Sequence, residues 1–315
     1  MRKIESTFLL IAVALVCIFT NGCSTCCAHK CCNNAVISFD NYTNYFCSWT
    51  SKTKIPVYVC DGSKNIDTNN INTNQPAIVV LHELPGMTPQ CLSLATNIAT
   101  RGYTVYLPLM FGKPTDDHTV WYTVCLWIDP DWYLFHKHKT PRIIRKLRII
   151  TNEIEQRQSV KPMGVVGMCL TGTLPLALLS DTNVDVVVLS QPAIPFSIFH
   201  SKAAERALAL SPGDLEAATN RVAAERIKVM GLRFASDWIC SSNRFNTLTN
   251  CFGANFVDLT IPMQNCKTNS CSTLHSVLCE QYDNTWGSPT RERFEEVITN
   301  FNEALKSPYS GKTPN

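Results

Sequence analysis

The chain has 315 residues, and its 28 lysines and arginines against 25 aspartates and glutamates leave a formal net charge of +3. That balance predicts no nucleic-acid partner, because such a partner calls for a strongly basic surface. Apolar residues make up 45% of the chain and charged residues only 17%, which excludes a disordered or collagen-like protein and allows a large core.

The first residues have the pattern of a secretory signal. Arg2 and Lys3 precede an apolar run over residues 8–19, which is shorter than the roughly 18 residues that a membrane-spanning helix needs. Residues 1–22 are therefore expected to direct export, to the periplasm or to a membrane. The small residue before Cys23 resembles a bacterial lipoprotein box, in which that cysteine is lipidated and attaches the protein to the membrane. Cleavage by an ordinary signal peptidase and uncleaved anchoring are the alternatives.

Residues 23–54 are expected to form a cysteine-rich tether. Six of the sixteen cysteines lie in the first 32 residues, and the densest part of the tether is the cluster Cys26-Cys27-Ala28-His29-Lys30-Cys31-Cys32. Thiolates and imidazole suit zinc or copper, but this cluster lacks a matching second half. We therefore expect no metal site there. A domain over residues 55–306 and a tail over residues 307–315 would follow.

From residue 55 onward, short apolar runs alternate with helical stretches. The expected strands span residues 56–59, 77–81, 103–107, 164–168, 184–189, 227–234 and 255–261. The expected helices span residues 89–100, 141–158, 172–179, 212–225 and 289–306. Runs that are apolar throughout indicate strands buried on both faces, so the pattern predicts a single α/β domain with a doubly wound, mostly parallel sheet. Residues 111–140 lack periodicity and are predicted to form a long loop or partial lid.

A strand-to-helix turn around Cys169 carries the predicted nucleophile. The strand over residues 164–168 leads directly into Cys169, and Gly167 and Gly172 flank it. Such a turn is strained, so small residues must surround a nucleophile whose side chain points away from the sheet edge. The helix that follows favours a thiolate through its dipole. The alternative is an ordinary buried cysteine.

The predicted acid and base follow the nucleophile in the chain order that accompanies this turn. Asp237 comes after the expected strand over residues 227–234, and His275 lies in a loop after the last expected strand. His275 is the only histidine beyond Asp237. The alternatives are a helix-capping aspartate and a solvated loop histidine.

Glu83 ends an earlier strand and is a further candidate. A carboxylate beside the nucleophile would hold the thiol by a hydrogen bond and could take its proton. The backbone amides of Leu84 and Leu170 would then bind a developing oxyanion. A solvent-facing loop residue is the alternative interpretation of Glu83.

These residues together resemble the dienelactone hydrolase family of α/β-hydrolases. The resemblance covers residues 56–306 through the motifs His82-Glu83-Leu84-Pro85-Gly86, Gly167-Met168-Cys169-Leu170-Thr171-Gly172, Arg233-Phe234-Ala235-Ser236-Asp237 and His275-Ser276-Val277. It implies a carboxylic-ester hydrolase, without metal or organic cofactor, that opens an ester or enol-lactone through a thioacyl-enzyme. In that family the cysteine attacks, the histidine and aspartate activate it, and the glutamate partners the resting thiol. These roles would fall to Cys169, His275, Asp237 and Glu83.

The sequence departs from the founding enzyme of the family at one position. There an arginine four residues after the histidine binds the substrate carboxylate, and here Cys279 occupies that position. Such binding uses the planar fork of arginine, so a dienelactone is not the expected natural substrate. Arg233, Arg244 and Lys113 are candidates to supply a cation from elsewhere, and a surface role is the alternative for each. A cysteine-dependent acyltransferase or peptidase and a non-catalytic surface lipoprotein remain alternatives. We expect a monomer whose partner is a small-molecule ester or lactone.

Overall fold

The computed structural model describes residues 45–115, 126, 129, 131–132, 134–180, 183–197, 201–262 and 274–306. The expected signal peptide, Cys23 and the cysteine cluster after it lie outside these residues, as do the expected tail and most of residues 116–133. Within the described ranges, no helix is long and apolar enough to cross a membrane.

A mostly parallel sheet of eight strands forms the centre of the domain. The strands are β1 (Cys47–Thr50), β2 (Pro56–Cys60), β3 (Ala77–Leu81), β4 (Thr104–Pro108), β5 (Met163–Met168), β6 (Val184–Ser190), β7 (Lys228–Phe234) and β8 (Phe256–Ile261). Their order is β1-β2-β4-β3-β5-β6-β7-β8. The pairs β1–β2 and β2–β4 are antiparallel, and the other five pairs of this sheet are parallel. Every residue of β3, β4 and β5 is buried, which confirms the predicted doubly wound sheet.

Helices cover both faces of this sheet. They are α1 (Pro89–Ala99), α2 (Ile143–Arg157), α3 (Leu174–Leu178), α4 (Lys202–Arg206), α5 (Pro212–Glu225), α6 (Ser242–Phe252) and α7 (Pro289–Phe301). Apolar residues of α2, α3, α5 and α6 pack into one core cluster, and those of α1 and α7 pack into a second cluster. The domain is therefore a three-layer α/β sandwich.

Strand β1 and helix α6 are elements that the sequence did not predict. Strand β1 pairs with β2 through Cys47 and Val59, so the sheet begins before the expected boundary at residue 55. Because β1 is a four-residue edge strand whose residues alternate between half-buried and exposed, it gave no continuous apolar signal. Helix α6 was also not predicted, although it buries Phe245, Leu248 and Phe252 along one side.

The last helix begins where its sequence signal predicts. Pro289 occupies its first turn, and the hydroxyl of Ser288 accepts a hydrogen bond of 3.4 Å from the backbone amide of Arg291. This is the arrangement of an N-cap followed by proline. The helix ends at Phe301, and a π-helical turn over Asn302–Lys306 continues from it.

Candidate active site

Cys169 stands at the point where β5 ends and a single 3-10 turn, Cys169–Thr171, begins. Its φ angle is +50°, a left-handed conformation that residues with a Cβ rarely adopt. Its carbonyl oxygen accepts hydrogen bonds of 3.0 and 2.9 Å from the amides of Gly172 and Ala193. The thiol is 1% exposed. The backbone therefore has the sharp, strained strand-to-helix turn that the sequence pattern suggests.

The glycines on either side of Cys169 are required by close packing. A Cβ on Gly167 would lie 2.4 Å from the carbonyl oxygen of Thr171 and 2.7 Å from the ring of Pro175. A Cβ on Gly172 would lie 2.5 Å from the Cα of Pro192. Because real Cβ atoms do not approach backbone this closely, the turn has room for no side chain at either position.

The side chain of Thr171 fixes this turn to the neighbouring strand. Its hydroxyl accepts a hydrogen bond of 2.9 Å from the amide of Met168 and lies 2.9 Å from the carbonyl oxygen of Leu81, to which it can donate. Leu81 is the last residue of β3, two positions before Glu83. The threonine therefore sets the nucleophile turn against the loop that carries Glu83, a role that its place in the motif did not reveal.

Asp237 and His275 form a hydrogen-bonded pair. Oδ2 of Asp237 lies 2.8 Å from Nδ1 of His275. The other carboxylate oxygen accepts hydrogen bonds of 2.9 and 3.1 Å from the backbone amides of Ile239 and Cys240. Because those two amides occupy Oδ1, the carboxylate is held with Oδ2 towards the imidazole ring. The structure thus brings together the acid and base that the chain order suggested.

The imidazole ring of His275 also interacts with Cys169. Its Nε2 is buried and has no hydrogen-bond partner among the described residues, and the charge of Glu83 acts on the same ring. Burial lowers the pKa of His275, but the charge of Asp237 and the proximity of Cys169 outweigh burial and raise this pKa well above its ordinary value. Both Asp237 and Cys169 therefore act on the imidazole ring of His275.

Burial raises the pKa of the Cys169 thiol, and the neighbouring groups act on it in both directions. His275 and the backbone amide of Leu170, which hydrogen-bonds the sulfur, lower this pKa, whereas the charge of Glu83 raises it. The backbone amide of Leu170 therefore lies beside the sulfur of Cys169. Leu84 is buried in the loop after Glu83, next to a cis peptide bond to Pro85.

Glu83 is buried and has two hydrogen-bond donors. The hydroxyl of Ser276 donates to Oε1 at 2.5 Å, and the side-chain amide of Gln191 donates to Oε2 at 3.0 Å. Burial raises the pKa of Glu83, while Ser276, His275 and Gln191 act to lower it. The solvent-facing interpretation of Glu83 is wrong, since the residue is 3% exposed. Its hydrogen bonds go to Ser276 and Gln191 rather than to the thiol, on which it acts through its charge.

Further polar contacts order the loop that carries His275. The side-chain oxygen of Gln281 accepts hydrogen bonds of 3.3 and 2.6 Å from the backbone amides of His275 and Ser276. The backbone amide of Gln281 donates to the carbonyl oxygen of Ser276 at 3.0 Å. Sequence reasoning missed Gln281, Gln191 and the contact from Ser276 to Glu83. Only Ser276 carried a signal, as the residue that directly follows the predicted base.

Arg233 and Arg244, which were candidates to bind a substrate anion, donate hydrogen bonds to backbone carbonyl groups instead. The guanidinium of Arg233 donates to the carbonyl oxygens of Cys240 at 2.8 Å and Asp237 at 3.1 Å. Arg244 donates to the carbonyl oxygens of Ala207, Pro192, Pro195 and Ala204. The expectation that Arg233 binds substrate is therefore corrected, because a buried guanidinium needs acceptors and here finds them in the loop around Asp237.

Lys113 and Cys279 provide no cation beside the nucleophile either. Lys113 is exposed on the loop after β4, and no contact places it at Cys169. Cys279, at the position of the family's arginine, is buried with its sulfur 3.6 Å from that of Met168. Among the described side chains, no three histidine, cysteine or acidic residues gather as metal ligands. The seven described cysteines carry free thiols.

His82 supports the loop beside the site. Its Nε2 accepts a hydrogen bond of 3.0 Å from the backbone amide of Met110, and its ring lies edge-on to Phe111 at a centroid distance of 4.5 Å. Burial lowers the pKa of His82 to about 4, so the ring is neutral near pH 7. It acts as an acceptor that connects the ends of β3 and β4.

Comparison with known proteins agrees with this fold. A family model described as "Dienelactone hydrolase family" matches residues 66–210. No curated protein matches the chain significantly. Among solved structures, a protein described as a dienelactone hydrolase from Klebsiella pneumoniae subsp. pneumoniae has a TM-score of 0.53 at 13% identity, over 82% of this chain and 97% of its own.

Two further structures show the same fold. A dienelactone hydrolase-like promiscuous phosphotriesterase from metagenomic libraries has a TM-score of 0.52 at 12% identity, over 79% of this chain and 92% of its own. An esterase from Pyrococcus furiosus has a TM-score of 0.50 at 12% identity, over 86% of this chain and 96% of its own. The chain therefore has the α/β-hydrolase fold found in dienelactone hydrolases, and the family match supports a hydrolase.

Proposed function

We propose that this protein is a hydrolase of the dienelactone hydrolase family that cleaves ester or enol-lactone bonds with Cys169, His275 and Asp237. The observation that carries the proposal is the hydrogen bond of 2.8 Å between Asp237 and His275, formed beside a cysteine on a strained strand-to-helix turn. Nucleophile, base and orienting acid in this relation are the parts of a triad. The match of residues 66–210 to the family model supports the same reaction class.

The reaction begins when Nε2 of His275 takes the thiol proton and the sulfur of Cys169 attacks the carbonyl carbon. The amides of Leu170 and Leu84 bind the negative oxygen of the tetrahedral intermediate. When the intermediate collapses, the bond to the leaving oxygen breaks, and the imidazolium returns the proton to that oxygen. Asp237 stabilises the imidazolium while it carries the charge.

The second half of the reaction releases the acid. Nε2 of His275 takes a proton from water as the water attacks the thioester, and it then returns this proton to the sulfur. The products are the carboxylic acid and the free thiol of Cys169. Each proton transfer uses the same nitrogen, which is the one that Asp237 leaves available by holding Nδ1.

Glu83 keeps the nucleophile protonated between turnovers in this proposal. Its charge raises the pKa of the Cys169 thiol, and a neutral thiol resists oxidation better than a thiolate does. That protection would matter for an exported protein. We propose export through residues 1–22, as a periplasmic protein or as a lipoprotein attached to the membrane at Cys23, and action as a monomer.

The site best fits an ester substrate that has no carboxylate next to the scissile bond. Cys279 offers no charge where the family has arginine, and the guanidinium groups of Arg233 and Arg244 are bound to backbone carbonyl groups. An anionic substrate would also meet the buried Glu83. Transfer to an acceptor other than water, amide cleavage and loss of activity are the competing functions.

A single-turnover assay with p-nitrophenyl acetate tests the proposal. The full chain, kept reduced, is mixed with the ester, and the acyl adduct is located by mass spectrometry of peptides. We expect a burst of p-nitrophenol and an adduct on Cys169, both lost in Cys169→Ala. The matched control is Cys60→Ala, which removes a buried thiol from β2 and should keep the burst.

The same assay separates the alternatives. A folded wild-type chain that forms no adduct on Cys169 would overturn the nucleophile assignment and favour the non-catalytic lipoprotein. An adduct that is released faster by an added amine or alcohol than by water would favour an acyltransferase. Glu83→Gln removes the charge beside the thiol, and we expect it to make Cys169 easier to oxidise by hydrogen peroxide.

A further inference from the structure

Gln191 occupies a strained position directly after β6. Its φ angle is +34°, which few residues with a Cβ adopt, and its side chain is completely buried. Its backbone amide donates to the carbonyl oxygen of Leu232 on the next strand at 2.6 Å. Strained residues persist where the surrounding structure fixes them, and they cluster at functional sites.

The side chain of Gln191 connects the two loops that flank Cys169. Its Nε2 donates to Oε2 of Glu83 at 3.0 Å, and its Oε1 accepts from the backbone amide of Val277 at 3.3 Å and from the hydroxyl of Ser190. Because Oε1 has donors around it, the amide orientation is determined and Nε2 must face the carboxylate. Val277 lies two residues after His275. The glutamine therefore links Glu83 to the loop of the base.

We propose that Gln191 is a positioning residue that holds the Glu83 carboxylate away from the thiol, so that the proton of Cys169 passes to His275. The inference rests on the proposed function. Gln191 and Ser276 together bind both oxygens of Glu83, and the carboxylate then influences Cys169 by charge alone. Without the glutamine, Oε2 is a buried acceptor that lacks a donor.

Loss of the Gln191 donor would change the hydrogen bonding of the thiol, because a buried carboxylate oxygen without a donor is energetically unfavourable. Such an atom needs another donor. Glu83 and Cys169 each lie two residues beyond the paired Leu81 and Gly167 of β3 and β5, and the charge of Glu83 acts on the thiol, so the S–H group is the donor that we expect it to take. A hydrogen bond from the thiol to Glu83 would stabilise the protonated sulfur. Thiolate formation would then need a higher pH, and His275 would compete for the proton with a carboxylate.

The experiment measures alkylation of Cys169 by iodoacetamide as a function of pH, with the modified peptide quantified by mass spectrometry. It compares full-length wild type, Gln191→Met, Glu83→Gln and the double variant. Methionine fills a similar volume and donates no hydrogen bond. We expect the midpoint of alkylation to rise by about one pH unit in Gln191→Met. We expect no rise from Gln191→Met in the Glu83→Gln background, where no carboxylate can take the proton.

The control is Gln158→Met. Gln158 is another buried glutamine, and its Nε2 donates to the hydroxyl of Tyr106 at 2.8 Å, away from the site. It should leave the alkylation midpoint unchanged while removing a comparable buried hydrogen bond. An unchanged or lower midpoint in folded Gln191→Met, or an equal rise with and without Glu83, would overturn the proposal. Alkylation needs no ester, so failure of the hydrolase proposal shows separately as the absence of an acyl adduct in wild type.

Discussion

The hydroxyl of Ser276 donates a hydrogen bond of 2.5 Å to the carboxylate of Glu83 across a separation of 193 residues in the chain. The contact joins the loop after β3 to the loop that carries His275. Ser276 also accepts a hydrogen bond of 3.0 Å from the backbone amide of Glu280, which closes its own loop. The hydroxyl group of Ser276 therefore connects the buried Glu83 to the loop that carries His275.

Replacing Ser276 by alanine should destabilise the domain. The change removes a donor from a buried carboxylate and an acceptor from the amide of Glu280, so we expect a loss of about 1.5–3 kcal/mol in the free energy of unfolding. Urea unfolding followed by circular dichroism measures it. Ser159→Ala is the control, since that exposed hydroxyl contacts only Thr73 in a surface pair and should change the free energy by less than about 0.5 kcal/mol. Equal effects would contradict the prediction.

Asp237→Asn should slow acylation and leave the fold intact. Two backbone amides require an oxygen at the Oδ1 position, so the new NH2 group must face Nδ1 of His275. The ring then takes the tautomer protonated on Nε2 and cannot accept the thiol proton. We expect the burst rate with p-nitrophenyl acetate to fall on the order of 10²–10⁴-fold.

The control for that variant is Asp258→Asn, an exposed aspartate with a similar local turn through the amide of Thr260. It should keep the burst rate of wild type. A full burst rate in Asp237→Asn would show that the carboxylate does not orient the base.

Gly167→Ala should abolish the nucleophile turn. The added Cβ would lie 2.4 Å from a backbone oxygen, and relief of that clash requires movement of β5 or of the turn. We expect a loss of about 3 kcal/mol or more in the free energy of unfolding. Gly213→Ala is the matched control because nothing lies within 4 Å of its Cβ and it stands in α5, where alanine should stabilise by up to about 1 kcal/mol. Thermal unfolding of both variants measures these changes. A Gly167→Ala variant with the stability of wild type would contradict the packing argument.

His82 should make the folded state sensitive to mild acid. Burial holds its pKa at about 4, whereas the unfolded chain binds the proton below about pH 6.5. The contribution of His82 to stability is therefore complete above pH 6.5 and declines by about 3 kcal/mol as the pH falls towards 4.

His82→Gln removes this titration, and its side-chain oxygen can still accept from the amide of Met110. We expect the free energy of unfolding of the variant to vary less between pH 7 and pH 4.5 than that of wild type. The control is His138→Gln at an exposed histidine, which should keep the pH dependence of wild type. A variant with the full pH dependence would assign the acid sensitivity to other groups.

Most of the strands were predictable because the sheet is buried. The runs over Ala77–Leu81 and residues 186–189 are apolar on both faces and therefore stand out along the chain. That Asp237 and His275 lie near each other and that His275 acts on Cys169 was predictable for a different reason. Parallel strands present their carboxyl ends at one edge, so residues that follow separate strands meet there.

The contacts of Glu83 could not be predicted from the sequence. Gln191 and Ser276 reach it from loops whose positions depend on how β6 and the histidine loop pack, and neither residue type signals such a role. The role of Arg233 was misjudged for a related reason. An arginine next to a predicted site suggests an anion, yet burial decided its partners, and these are backbone carbonyl groups.

The order of the strands also determines which pieces of this protein could exist alone. A fragment limited to residues 66–210 would contain Cys169 and would lack β1, β2, β7 and β8, together with Asp237 and His275. Its β6 would become an open edge, and the unpaired backbone beside Val186, Val187 and Val188 would be available to strands of other chains. We expect such a fragment to aggregate, because β7 is the strand that pairs the edge of β6 in the whole domain.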